Sequence, residues 1–216
     1  MTNLKAAIAG AGDFDNNAVQ QEGSRGGYVM SMSGTVRLAA IGYKAGFPID
    51  DLLRRVADRL RTDRISLAGA LQENIGGIPG QCSAMTLVDL ASQSRFLISQ
   101  DLGLQSEGCR LDARGLSEIG ALLDRPFDHR TELLMLNRFG KAETEGGGLR
   151  SVFARAIDAG IPVLTAVRPP YLEAWAQFHG GLAADLPADF DRVLAWCDDA
   201  VRKLRAARLA AFSPAK

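Results

Sequence analysis

Leu133-Leu-Met-Leu-Asn-Arg-Phe-Gly-Lys-Ala-Glu-Thr-Glu-Gly-Gly-Gly-Leu-Arg150 reads as a buried strand, a glycine-bearing loop and the start of a helix. Leu133 to Leu136 is an unbroken apolar run, the pattern of a strand covered on both faces. The loop over 140–148 then leads into a helix over about 149–159, which Gly160 terminates. Residues 162–167 form another apolar strand. Strand, helix and strand in sequence are the repeating unit of a mostly parallel sheet covered by helices on both faces.

The same alternation extends in both directions. Val36-Arg-Leu-Ala-Ala-Ile-Gly42 is a strand, followed by the loop Tyr43-Lys-Ala-Gly-Phe-Pro-Ile49. Asp50 can cap a helix that carries Leu52, Leu53, Val56 and Leu60 on one stripe. Residues 65–71 form a second strand, and 76–80 a Gly/Pro turn. Residues 85–90 and 95–99 read as paired strands around a short polar turn, an inserted β-hairpin. Asp112 caps a helix through Leu123. A helix over about 170–178 stops at Gly180-Gly181, and the last helix covers about 187–211. Residues 1–34 differ: Gly, Ser, Asn and Gln dominate without apolar period, and such a segment cannot offset its ordering entropy. The expectation is a largely disordered extension over 1–34 and one α/β domain over 35–212. Met30 and Met32, just before the first strand, are alternative translation starts.

Acidic and basic residues balance at 25 each, so no global field recruits nucleic acid or an anionic membrane. No apolar run approaches the ~18–20 residues that span a bilayer, and the N-terminus lacks a signal-peptide pattern. The three cysteines, Cys82, Cys109 and Cys197, are widely spaced and odd in number, which speaks for a reducing compartment. The cytoplasm is the expected location.

Ligands of open α/β sheets bind at the carboxyl ends of the strands, so the loops after Gly42, Leu71 and Leu136 are the places to search. A phosphate-cradling loop needs the pattern G-x-x-x-x-G-K-[ST]. Starting at Gly42, Phe47, Pro48 and Ile49 stand where Gly, Lys and Ser/Thr belong. Asp50 and Asp51 occupy the helix end that a phosphate would use, while Lys44 and Gly46 leave room for an anion. The loop after Leu136 gathers Asn137, Arg138, Lys141 and Arg150 beside Glu143 and Glu145, with Gly146, Gly147 and Gly148 ahead of a helix. Glycine N–H groups at a helix start favour an anion, and arginine suits phosphate or a tetrahedral oxyanion. A solvated surface loop is the competing reading. Arg110 with Asp101 or Asp112 is either a structural ion pair or part of the site. The cysteines and the two histidines, His129 and His179, show no zinc spacing, and no G-x-S-x-G elbow appears. Trp175, Phe178 and Trp196 fall at helical spacing and read as core.

Ser99-Gln-Asp-Leu-Gly103, Gly108-Cys-Arg-Leu-Asp112, the segment 136–148 and Phe178-His-Gly-Gly181 together resemble an uncharacterised bacterial family, domain of unknown function 2478. Some of its members carry the label molybdenum ABC transporter ATP-binding protein. The order of parts is also similar, more distantly, to the small nucleoside-triphosphatases first described from thermophiles. Their strand ending Asp-Glu-x-Gly corresponds here to Asn137-Arg-Phe-Gly140. The resemblance implies a P-loop nucleoside-triphosphatase-like fold with degenerate phosphate and metal motifs, because Asn137 and Arg138 replace the two acids.

Two functional expectations follow. The first is a binding or regulatory protein holding a small anionic ligand at Lys44, Arg138, Lys141 and Arg150, with Arg110 beside them. The resemblance points to ATP, GTP or molybdate as that ligand, in a molybdenum-related setting and with a transporter component as partner. The second is a divergent hydrolase of ATP or GTP that positions water with Glu143 or Glu145. No metal ligand set is expected in either.

Overall fold

The protein is described by a computed structural model over residues 37–75, 84–100, 110–111 and 113–212. The expectations for 1–34, the 76–80 turn, Cys82, Asp101, Cys109 and the Asp112 cap lie outside the described residues. The elements are β1 (Leu38–Gly42), α1 (Ile49–Thr62), β2 (Leu67–Ile75), β3 (Ala84–Asp89), β4 (Arg95–Leu97), β5 (Ser99–Gln100), β6 (Arg110–Leu111) and α2 (Ala113–Leu123). They continue with β7 (Leu133–Leu136), α3 (Lys141–Thr144), α4 (Arg150–Asp158), β8 (Val163–Val167), α5 (Leu172–His179), β9 (Ala183–Pro187) and α6 (Phe190–Phe212).

Seven strands form one sheet in the order β4-β3-β2-β7-β8-β1-β9. The five from β2 to β9 in that order are mutually parallel. β3 and β4 add antiparallel strands on the β2 side. A separate two-stranded pairing joins β5 to β6. This is the mostly parallel α/β sheet with an inserted hairpin that the alternation predicts.

Side chains alternate across the strands and feed two cores. Ala39, Ile41, Leu133, Met135, Leu164 and Ala166 pack with α1 and α6 on one face. Leu38, Ala40, Leu134, Leu136, Val163 and Val167 pack with α2, α4 and α5 on the other. β7 and β8 are buried along their whole lengths, in keeping with an apolar run unbroken in β7 and interrupted in β8 by Thr165 alone. In α1 the stripe Leu52, Leu53, Val56 and Leu60 is buried, while Asp50 and Asp51 occupy the first turn, where acids suit the helix dipole. Gly69 in β2 has φ +106°, and a Cβ there would lie 2.0 Å from the Met135 carbonyl oxygen. Only glycine lets β2 and β7 approach that closely.

Five details depart from the sequence reading. Asp50 does not cap α1: Pro48 holds the cap position with no side-chain cap hydrogen bond, and Asp50 lies inside the first turn. β2 continues past Leu71 to Ile75, because it goes on pairing with β3. The loop over 140–148 contains the single-turn helix α3. The segment between α5 and α6, read as a plain connection, contains β9, which pairs with β1 from Leu38↔Ala183 to Gly42↔Pro187. α6 accordingly starts at Phe190, with Asp189 accepting from the Arg192 N–H in its first turn.

Candidate functional site

β7, β8 and β1 are consecutive parallel neighbours, so the loops that follow them leave the same edge of the sheet. The first residues past β1 and β7 both lean on β8. The Tyr43 N–H donates to the Val167 carbonyl at 3.3 Å, and the Phe139 N–H to the Ala166 carbonyl at 3.0 Å. This brings the Tyr43–Ile49 loop and the loop after Leu136 to one crevice.

Arg138 spans that crevice. Its Nη2 donates to both oxygens of Asp50, at 2.6 and 2.7 Å, and its Nη1 to Gln72 Oε1 at 3.3 Å. The Arg138 side chain is one-third exposed and that of Asp50 19% exposed, so the pair is partly withdrawn from water. Arg138 Nε is buried and has no acceptor among the described residues. Asn137, next to it, is buried, and its Oδ1 accepts the Gln72 backbone N–H at 3.1 Å. Tyr43 is buried beside the pair, and burial pushes its phenol above the ordinary value. The positive charges of Arg138 and Arg168 work against that shift, and Asp50 adds to it. Arg168 follows the end of β8 and lies over the Tyr171 ring at 5.8 Å.

On the other side of the crevice, the loop after β1 closes as a turn, with the Phe47 N–H donating to the Lys44 carbonyl at 3.2 Å. Pro48 precedes α1 and offers no N–H, and Ile49 is buried in the core. Lys44 and Gly46 are exposed, and Lys44 forms no ion pair among the described residues.

The rest of the loop after β7 is built around Glu143. Its carboxylate is buried and accepts the Gly140 N–H at Oε2 and the Leu149 N–H at Oε1, both at 2.9 Å. The Glu143 carbonyl accepts from Arg150 Nη1 at 3.0 Å, and the Arg150 guanidinium lies 4.7 Å from the Phe178 ring centre. Gly147 donates its N–H to the Ala142 carbonyl at 2.9 Å. Gly148, at φ +59°, passes so close to Glu143 that a Cβ would fall 2.1 Å from Oε1. The charged pair Lys141–Glu145, at 3.7 Å, is exposed on the outside of α3.

The sequence-selected residues therefore divide into two groups. Asn137 and Arg138 lie beside Asp50 and Gln72, while Lys44 and Gly46 stand in the exposed turn of the β1 loop and make no hydrogen bond or ion pair to Arg138 among the described residues. Lys141, Glu143, Glu145, Arg150 and the three glycines form a self-bonded loop. Among the described residues, none of that loop makes a hydrogen bond or ion pair to Asp50, Arg138 or Tyr43. Of Arg110 the structure describes only the backbone, paired in β6 with Gln100. Tyr43, Gln72 and Arg168 belong to the crevice and were not selected from the sequence. Arg168 carries the one available signal, a basic residue directly after an apolar strand. No group of three or more His, Cys, Asp or Glu side chains able to hold a metal occurs among the described residues. No helix among them is long and apolar enough to cross a membrane.

The fold has a counterpart in the solution structure of a human cancer-related nucleoside triphosphatase. The TM-score is 0.53, with 78% of this chain and 98% of that chain covered at 13% identity. The chain thus has a nucleoside-triphosphatase-like fold. In sequence, the chain is 35% identical over 172 residues to the molybdenum import ATP-binding protein ModC 2 of Bradyrhizobium diazoefficiens. That alignment covers 80% of this chain but 19% of the relative, so the chain spans about one fifth of that protein's length. From β1 into α6, residues 38–196 match the family described as "Protein of unknown function (DUF2478)", and the chain belongs to that family.

Proposed function

We propose that this protein binds a nucleotide or a small oxyanion in the crevice between the loops after β1 and β7, without efficient hydrolysis. The observation that carries the reading is the reach of Arg138 to Asp50, which makes the two loops walls of one site at the ligand-binding edge of the sheet. Among the described residues whose charge acts on Tyr43, the basic Arg138 and Arg168 outnumber the one acid, Asp50, and the exposed Lys44 and Gly46 stand in the adjoining turn of the β1 loop. An arginine guanidinium suits phosphate and tetrahedral oxyanions.

The residues present do not fit a magnesium-bound triphosphate. Asn137 spends its carbonyl oxygen on a backbone N–H, and Arg138 brings positive charge where a cation would sit. A hard divalent ion favours carboxylate oxygen. The Glu143 carboxylate is taken up by two backbone N–H groups within its own loop, which favours a structural duty over positioning water. Glu145 is exposed at the C-terminal cap of α3 and, among the described residues, its carboxylate pairs only with Lys141.

The relative named as an ATP-binding protein of molybdenum import extends well beyond the part resembled here. Its ATP binding is therefore open to assignment outside that part. In our reading this chain serves the same setting, molybdenum transport or cofactor metabolism, as an anion-responsive companion of a transporter's ATP-binding component.

A thermal-shift panel of ATP, GTP, molybdate, sulfate and phosphate tests the assignment. At least one anion raises the melting temperature at millimolar concentration, and Arg138→Gln removes the shift. A panel with no shift would remove the ligand from the proposal. Phosphate release from ATP or GTP with magnesium stays at the buffer baseline, and brisk turnover would return the protein to the hydrolases.

A further inference from the structure

We propose that Asp50 is a built-in competitor for the anion: its carboxylate holds Arg138 in a closed position, and binding requires the Asp50–Arg138 pair to part. This rests on the reading of the crevice as an anion site and adds how that site is controlled.

The geometry of the pair carries the argument. An arginine engages a carboxylate best as a fork, with two nitrogens meeting two oxygens in parallel. Here one nitrogen, Nη2, takes both Asp50 oxygens, while Nη1 is turned to Gln72. Nε–H is buried without an acceptor among the described residues. The guanidinium is thus charge-paired but incompletely hydrogen-bonded, and a pose with another oxyanion can engage it more fully. The residues around it are arranged for such a movement. The Tyr43 phenol, in the β1 loop, feels the charges of both Arg138 and Arg168, which puts a second positive charge beside the pair. Asp50 lies in the first turn of α1, where its charge is favoured by the helix dipole with or without Arg138. Separation of the pair therefore leaves neither member without favourable surroundings: the anion takes the arginine, and the helix end keeps the aspartate.

In this arrangement the acid and base of an ordinary phosphate site have exchanged sides. The carboxylate stands at the helix start where an anion would rest, and the guanidinium comes from the opposite loop. The intramolecular carboxylate sets a threshold that an incoming anion must exceed, so the wild-type crevice responds to dense tetrahedral charge and ignores simple carboxylates.

Calorimetric titration with inorganic phosphate and with molybdate, at fixed ionic strength, tests the inference on the full chain. Asp50→Asn keeps the shape of the side chain and removes its charge, and Asp50→Ser provides a second, smaller uncharged variant. Both bind phosphate or molybdate roughly tenfold more tightly than wild type, the scale of an ordinary coupling between two binding events. Arg138→Gln abolishes saturable binding in either background. In the wild type, titration moves the NMR signal of the Arg138 Nε–H together with the Asp50 side-chain carboxyl signal. If both Asp50 variants melt as folded proteins and bind no better than wild type, while Arg138→Gln still loses binding, the competitor role is overturned and the anion site stands. If no folded variant binds either anion, both readings fall. An Arg138 signal that stays fixed while phosphate saturates the wild type also overturns the inference.

Discussion

Glu143 shows how one buried carboxylate can organise a loop. It accepts two N–H groups from opposite ends of the segment, and the backbone of Gly148 fills the space beside it. Glu143→Gln replaces one accepting oxygen with a donor and leaves a loop N–H without its partner, at a cost of about 1–3 kcal/mol. Gly148→Ala meets a second obstacle, because its φ of +59° disfavours any Cβ and the Cβ would strike Glu143. Both variants lower the unfolding free energy measured in denaturant titrations. A Glu143→Gln protein as stable as wild type would contradict the clamp. At this scale the sequence was partly legible. Asn137 and Arg138 stand out because they follow a buried strand, which marks the ligand-binding edge. The duty of Glu143 was not legible, because an acid between glycines reads equally as a solvated charge until its burial is known. The Asp50–Arg138 contact joins residues 88 positions apart, and it depends on β7, β8 and β1 being neighbours in that order. Strand–helix alternation does not fix that order.

Among the elements, β7 and β8 were plain in the sequence because strands buried on both faces read as near-continuous apolar runs, interrupted in β8 by Thr165 alone. β9 was not. Ala-Ala-Asp-Leu-Pro is an edge strand with one neighbour, and none of its residues is fully buried, so it lacks an apolar signature. α6 packs against the sheet and is tied to its start by a charged link. Arg205 donates to Glu132 through Nε and Nη2, and Glu132 also accepts the Ser66 N–H at 2.9 Å. Burial raises the Glu132 carboxyl, but Arg205 and the Ser66 N–H outweigh it and hold the group below its ordinary value of 4.5. Its folded form therefore takes up a proton less readily than its unfolded form. The stability it supplies is present above pH 4.5 and is lost as the pH falls through the lower folded value. Arg205→Ala lowers stability at neutral pH by about 1 kcal/mol, modest because Arg205 is half exposed and screened by solvent. The gap to wild type closes on acidification below pH 4.5. Denaturant midpoints at a series of pH values measure it, and a gap that widens toward acid would contradict the assignment.

For the whole molecule, the two cores on opposite faces of one sheet make α1 and α6 the cover of one side. Cys197 lies within that cover, with no solvent exposure, and burial pushes its thiol far above the ordinary range. A thiol in that state is neither exposed nor ionised at neutral pH, and the thiolate is the reactive form. Alkylation of Cys197 must then wait for α6 to lift from the sheet. With Cys82 and Cys109 changed to serine, its modification rate becomes a clock for the opening of that face. Saturating anion slows the clock if the crevice and the α6 cover open in one cooperative unit, and leaves it untouched if α6 peels away alone. A buried sulfur atom remote from the ligand would thus report, from inside the fold, how far the influence of a bound anion extends.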